Sequence, residues 1–163
     1  MFLNCKTWFS FHYGTFPTKE LVERAQLLGL KSMALTNINS TADCWDFVLK
    51  CQEANIKPIL GVEIRNENEL CYILLAKNNA GLLAIQSFLS FYKQRKLNFP
   101  KKPPFESEDI WVIYTYENHP EIQQLGNQEL IGLRREDLTK LSWQEHIHAD
   151  CWVILHPVTY QDK

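Results

Sequence analysis

The chain has 163 residues, 45% of them hydrophobic, with a formal net charge of -2. That length allows a sizeable core, and the slight acidity, with a sequence pI of about 6.2, excludes a chain that holds nucleic acid by a general basic excess. No apolar run approaches the roughly 18 residues of a membrane span, the N-terminal MFLNCKTWFSF lacks the form of a secretory signal, and five scattered cysteines without a Cys-x-x-Cys pair point to a reduced, cytoplasmic protein.

Phe2 to Trp8 is a strand candidate, broken by Gly14 and Pro17. PTKELVERAQLLG then reads as a helix. Thr18 is its expected N-cap, Leu21, Ala25 and Leu28 form one face, and Gly29 is the stop. Lys31 to Thr36 is the next strand. A second helix follows, with Ser40 as the expected cap and Cys44, Phe47, Val48 and Cys51 at i, i+3, i+4 and i+7. KPILGVEIR and CYILLAK read as strands around a polar NENE turn. A third helix is expected after a cap at Asn79, with Leu82, Ile85, Leu89 and Tyr92 inward. Residues 93 to 108 are rich in charge and proline and read as an exposed excursion. The segments DIWVIYTY, ELIGLR and CWVILHPV complete roughly seven strands, with short helices expected near Pro120 to Leu125 and Glu136 to Leu141. Strands alternating with helices predict an α/β fold; the pattern alone leaves open sheet and barrel equally open.

The carboxyl end of a strand is where such folds place their chemistry. After Met33-Ala34-Leu35 that place holds Thr36, Asn37 and Ile38, none of them a general acid or base. Glu63, on a strand, is the most informative acid, because a buried carboxylate needs a partner. No glycine-rich phosphate loop is present. His146 and His148 of EHIH precede a strand and read as a solvated connection, whereas His156 ends one. KQRK with Lys101 and Lys102, near Phe99 and Phe105, reads as a solvated basic loop rather than a nucleic-acid contact, since acids follow it.

FLNCKTWFSFHYGT, LVERAQLLGLKSMALTN, ANIKPILGVEIR and CYILLAKNNAGLLAIQSFLS together resemble the PHP (polymerase and histidinol phosphatase) domain at the N-terminus of bacterial DNA polymerase III alpha subunits, most closely those of the Bacteroidetes. WVILHPVTYQDK resembles that domain's last strand and following turn. The resemblance implies a distorted (β/α)7 barrel, with residues 1 to 163 as one PHP-like domain cut from the N-terminal end of a longer polymerase chain. Family members hold Zn or Mn with His, Asp and Glu at the carboxyl ends of the strands and hydrolyse phosphoesters.

Position by position, the resemblance sets Asn4 and Lys6 where the family has a His-x-His pair, and Asn37 and Ile38 where it has Asp and His. It sets Cys71 in place of a His, and His156, Pro157, Val158, Thr159 and Tyr160 along its Asn-Asp-x-His-Tyr segment. Glu63 alone survives as a hard-metal ligand. Lys6 adds an ammonium that repels a cation, and one carboxylate does not hold a multi-metal cluster. The expectation is therefore no metal, no cofactor and no phosphoesterase turnover in this chain, with Lys6 and Glu63 paired in the vacated place. The polymerase's own Mg site would lie outside the chain. The implied partners are the polymerase thumb and the proofreading exonuclease subunit, with DNA met only indirectly and no membrane. Two other readings are a residual metal-dependent phosphoesterase or 3′-5′ exonuclease using Glu63, His12, His156 and Cys71, and a free-standing interaction module.

Overall fold

The computed structural model describes residues 1–105, 107–141 and 149–159. The EHIH histidines and Tyr160 lie outside the described residues. Strands β1 (Phe2–Cys5), β2 (Ser32–Leu35) and β3 (Lys57–Asn66) run parallel, side by side. β4 (Glu69–Ala76) folds back along β3 through Glu67 and Asn68, with Glu67 in the left-handed region at φ 52°. β5 (Ile110–Thr115) is antiparallel to β4, and β6 (Glu129–Leu133) and β7 (Trp152–Ile154) then add in parallel. β4 thus runs against its neighbours in an otherwise parallel sheet.

β8 (Pro157–Val158) pairs with β1 rather than β7, so the sheet order is β7-β6-β5-β4-β3-β2-β1-β8. Only Leu155 and His156 separate the two edge strands. Three Cα steps span at most ~11 Å, so the sheet curls until one extended segment borders both edges. Leu155 N–H donates to the Leu133 carbonyl at 2.8 Å, and Lys6 N–H donates to the Val158 carbonyl at 3.0 Å. CWVILHPV is one pass of chain, as the sequence suggests, whose two halves bond to different neighbours. The result is a mixed α/β fold with a curled, barrel-like sheet.

Helices α1 (Thr18–Leu27), α2 (Cys44–Glu53) and α3 (Asn79–Arg95) cover the outside. Under α1 and α2 lie Leu21, Val22, Ala25, Phe47 and Cys51, packed on Met33 and Leu35. Under α3 lie Ile85, Phe88 and Leu89, packed on Val62, Ile64, Tyr72 and Leu74. A third cluster, with Ala34, Ile73, Leu75, Ile113 and Leu155, comes from the sheet's own residues and fills the inside of the curl. Each fully buried side chain of this kind contributes about 1.5–3 kcal/mol.

The helix starts differ from the sequence expectation. Pro17, not Thr18, is the N-cap of α1, and the Thr18 hydroxyl instead donates to the Asp43 carboxylate. Asp43 begins α2 from the left-handed region, at φ 71°, while Ser40 Oγ accepts only from Ala42 N–H at 3.1 Å in a preceding turn. Asn78, one residue before the expected cap, accepts from Gly81 N–H at 3.0 Å. α3 then runs on to Arg95, where Lys96 ends it in the left-handed region. The segment after it is not a free excursion. Phe99 is buried, and its ring and that of Phe105 lie 5.5 and 5.2 Å from Phe88. These aromatics are spent on the core, which removes them from any base-stacking role. The two late helices shrink to a 3-10 turn at Ile122–Gln124, a second at Arg135–Asp137 and the single turn α4 (Leu138–Leu141). Among the described residues no helix is long and apolar enough to cross a membrane.

Candidate functional site

The carboxyl ends of β1, β2 and β3 meet in a group of buried polar residues: Asn4, Lys6, Thr7, Ser10, Thr36, Asn37 and Glu63. Asn4 and Lys6 are two apart at the end of β1, which in extended chain puts both on one face. Glu63 is 0% exposed on β3 and Lys6 is 1% exposed. Lys6 Nζ stands 2.7 Å from Glu63 Oε2 and donates to Asn4 Oδ1 at 2.6 Å. The approach to Oε2 is off the hydrogen-bond direction, so that oxygen has a charge beside it but no aligned donor. Asn4 Oδ1 also accepts from the Thr36 hydroxyl at 2.9 Å.

Sequence reasoning expected Lys6 beside Glu63 but did not include Arg65. Arg65 Nε donates to Glu63 Oε1 at 2.6 Å, its Nη1 reaches the Asn68 carbonyl at 3.1 Å, and its guanidinium lies 4.4 Å from the Tyr13 ring centroid. The signal was legible as Glu63-Ile64-Arg65, since i and i+2 on a strand share a face. One carboxylate therefore serves two cations. Burial raises the Glu63 carboxyl, but the Lys6 charge, then that of Arg65, more than offset it and hold it below the usual carboxylate range. Lys6 has only a shared carboxylate, so burial wins there and pulls its ammonium below its ordinary value despite Glu63.

Asn37 is fully occupied. Its Oδ1 accepts from Thr7 N–H at 2.9 Å, the Thr7 hydroxyl at 3.3 Å and the Ser10 hydroxyl at 2.7 Å, while Nδ2 donates to Thr7 Oγ1 and the Ala42 carbonyl. Ser10 Oγ in turn accepts from Ile38 N–H at 3.0 Å. Asn39, also missed, extends this stitching. At φ 48° its side chain donates to the Arg65 carbonyl and accepts from Arg65 N–H, at 2.8 and 2.9 Å. Ile38 pairs with Glu63 as an isolated parallel bridge. The residues after β2 therefore act as a backbone splice between β1 and β3.

The splice also sets the loop after β1. Gly14 packs so closely that a Cβ there would stand 2.0 Å from the Thr7 carbonyl oxygen, which explains the glycine. With Ser10 turned inward, Trp8, Phe9 and Phe11 are displayed on the rim, Phe11 at 83% exposure.

Among the described residues, the remaining predicted positions add no hydrogen bond or ion pair to Glu63. Cys71 packs with Val62, Ile64 and Tyr72, with Sγ 3.8 Å from the Glu69 carbonyl, and burial raises its thiol. Pro157 pairs with Asn4 along the backbone and is exposed, and Thr159 is half-buried. His12 and His156 are both exposed, and the His156 ring lies beside Phe2, 6.3 Å between centroids. The structure therefore does not assemble Glu63, His12, His156 and Cys71 into one site. Among the described residues no three His, Cys, Asp or Glu side chains come together in a metal-holding group.

The profile of the PHP domain family matches residues 3–151. The chain belongs to the PHP domain family. A stretch of 73 residues of this PHP domain is 37% identical to the error-prone DNA polymerase of Symbiobacterium thermophilum, covering 45% of the chain but 7% of that polymerase. The PHP domain thus spans a small part of the length of its polymerase relative. Among solved structures it is similar to a protein from Bifidobacterium adolescentis described as a metal-dependent phosphoesterase, at 27% identity over 56% of this chain and 32% of that one, TM-score 0.44. It is also similar to an amidohydrolase of Chromobacterium violaceum, at 11% identity over 77% of this chain and 69% of that one, TM-score 0.44.

Proposed function

We propose that this chain is a PHP domain that has exchanged its metal cluster for a buried ion-pair group, and that it serves a replicative DNA polymerase as a structural brace and as a docking surface for the proofreading exonuclease. The observation that carries the reading is Glu63. It is the one hard-metal ligand that the family resemblance leaves in place, and Lys6 and Arg65 engage its two oxygens at 2.7 and 2.6 Å. A divalent ion at that carboxylate would sit against an ammonium.

The other donors fit a metal no better. Asn37 Oδ1 already accepts from three groups, Asn4 Oδ1 accepts from Lys6 and Thr36, and Ile38 and Pro157 carry no side-chain donor atom. A multi-metal phosphoesterase needs several anionic or imidazole ligands for each ion. No hydrolytic step is therefore assigned to these residues. The relation to a polymerase and the exposed aromatic rim support the bracing and docking role.

The test is metal analysis of the purified chain, followed by single-turnover cleavage of a mismatched primer in added Mn or Zn. The expected outcome is substoichiometric metal and no cleavage. Stoichiometric metal that is lost in Glu63→Gln, together with cleavage, would overturn the reading.

A further inference from the structure

At the opposite end of the barrel from Glu63, where the parallel strands begin, the inside of the sheet stays open. A cavity of about 420 Å³ lies there, within the usual size range of binding pockets. Leu3, Ile59, Trp111 and Leu130 form its half-buried walls, and Leu75 and Ile113 are buried below them. The charged residues among its described lining are Lys57 and Lys77, both exposed. Lys77 Nζ lies 5.1 Å from the Trp111 ring centroid and donates to Gln128 at 2.9 Å. The Lys31 carbonyl accepts from Lys57 N–H at 2.9 Å, which ties the start of β3 to the residue before β2. Asp109 keeps its charge but does not line the pit; its carboxylate accepts from Asn78 and Ser107, at 2.6 and 3.1 Å. An apolar pit with a basic rim thus stands on a chain whose net charge is -2.

We infer that this pit docks an acidic protein segment, one that inserts a leucine or phenylalanine anchor between Ile59, Trp111 and Leu130 and sets carboxylates against Lys57 and Lys77. Hot spots of protein interfaces have this form, an apolar anchor in a pocket within a polar rim. The rim charges select the partner's sign and speed the encounter. The walls are partly exposed and open to solvent on one side, whereas small-molecule sites bury most of their ligand. An occupant that brings its own surface around the anchor therefore fits better than a free amphiphile. The inference does not depend on the function proposed for the Glu63 end.

The test uses the full chain and a labelled peptide with a central Leu-Phe pair flanked by glutamates, followed by fluorescence anisotropy and by methyl NMR of Ile59, Ile113 and Leu130. Peptides with glutamine or lysine flanks are the controls, and octanoate is the small-molecule competitor. The glutamate peptide is expected to bind, to shift those methyls, and to lose affinity by about tenfold or more in Lys57→Glu/Lys77→Glu, a surface change whose folding is checked by circular dichroism. Equal binding of the glutamine peptide overturns the charge assignment. Shifts confined to the Glu63 end, binding of octanoate without the peptide, or no binding at all overturn the docking site.

Discussion

Replacing Glu63 by Gln removes the one anion from a group that contains two cations. Lys6 would remain 1% exposed, with Asn4 Oδ1 and at most a neutral amide oxygen beside it, while Arg65 would keep the Asn68 carbonyl and the Tyr13 ring. Breaking a buried pair from one side costs roughly 3–5 kcal/mol. Lys6 has an escape, since it can shed its proton, but neutralising an ordinary lysine at pH 7 itself costs about 5 kcal/mol. The two routes set a similar ceiling. For a chain of this size the loss corresponds to a fall in Tm of about 6–20 °C. Urea unfolding followed by circular dichroism, on Glu63→Gln, Lys6→Met and the double variant, measures it. The double variant should recover at least about 1 kcal/mol relative to the sum of the single changes, because the residues are in contact. A Glu63→Gln cost within about 0.5 kcal/mol of zero, as for an ordinary surface site, would refute the argument. The pH dependence has a fixed sign. Glu63 is held below its ordinary range, so its contribution is fully present above the unfolded carboxyl pKa and is lost as pH falls through the lowered one. The gap between the parent chain and Glu63→Gln should therefore close in acid, below about pH 4, and it should narrow as pH rises wherever Lys6 sheds its proton in the variant.

Asn37→Ala strands the buried Thr7 N–H and the Ser10 hydroxyl; at about 1–3 kcal/mol for an unsatisfied group, unfolding should shift by at least that much and the Thr7 amide should exchange faster with deuterium. Unchanged Thr7 exchange would rule out the splice role. Gly14→Ala forces a Cβ to 2.0 Å from a backbone oxygen, so it should cost about 1–3 kcal/mol or more; a chain that tolerates it with no change in urea midpoint contradicts the packing described. Phe88→Ala empties the centre of the Tyr92, Phe99 and Phe105 rings and should cost about 3–5 kcal/mol, with residues 97 to 105 becoming more open to proteolysis. A loss under 1 kcal/mol would return that segment to the solvent.

Much of this was legible in the sequence, and what was not had local causes. Apolar pattern located every major element: the helices bury one face, which their repeat records, whereas β4 is buried on both faces and reads as the continuous apolar run CYILLA. The expected proximity of Lys6 and Glu63 came from setting residues into a family frame, not from spacing. Arg65 was missed because the family frame supplied Lys6 as the partner for Glu63, and the i+2 position on the same strand was not considered. The caps failed for a different reason. Thr18 and Asp43 bond to each other across the two helix starts, a tertiary contact that capping rules for one helix do not contain. The 93 to 108 segment is largely exposed, as its lysines and prolines suggest, but its anchoring through Phe99 and Phe105 was not legible because two aromatics are outweighed in the composition.

The segment 152–158, which borders both β6 and β1, also sets an order of events in time. β1 is made first, yet one of its edges has no strand beside it until Pro157 and Val158 arrive. Asn4 on β1 and Lys6 just after it wait as well, since the sheet cannot close around them earlier. Contacts of such long sequence separation form slowly, and an unpaired edge is a template for the wrong strand. During synthesis the first strand of this domain is thus its last to be completed.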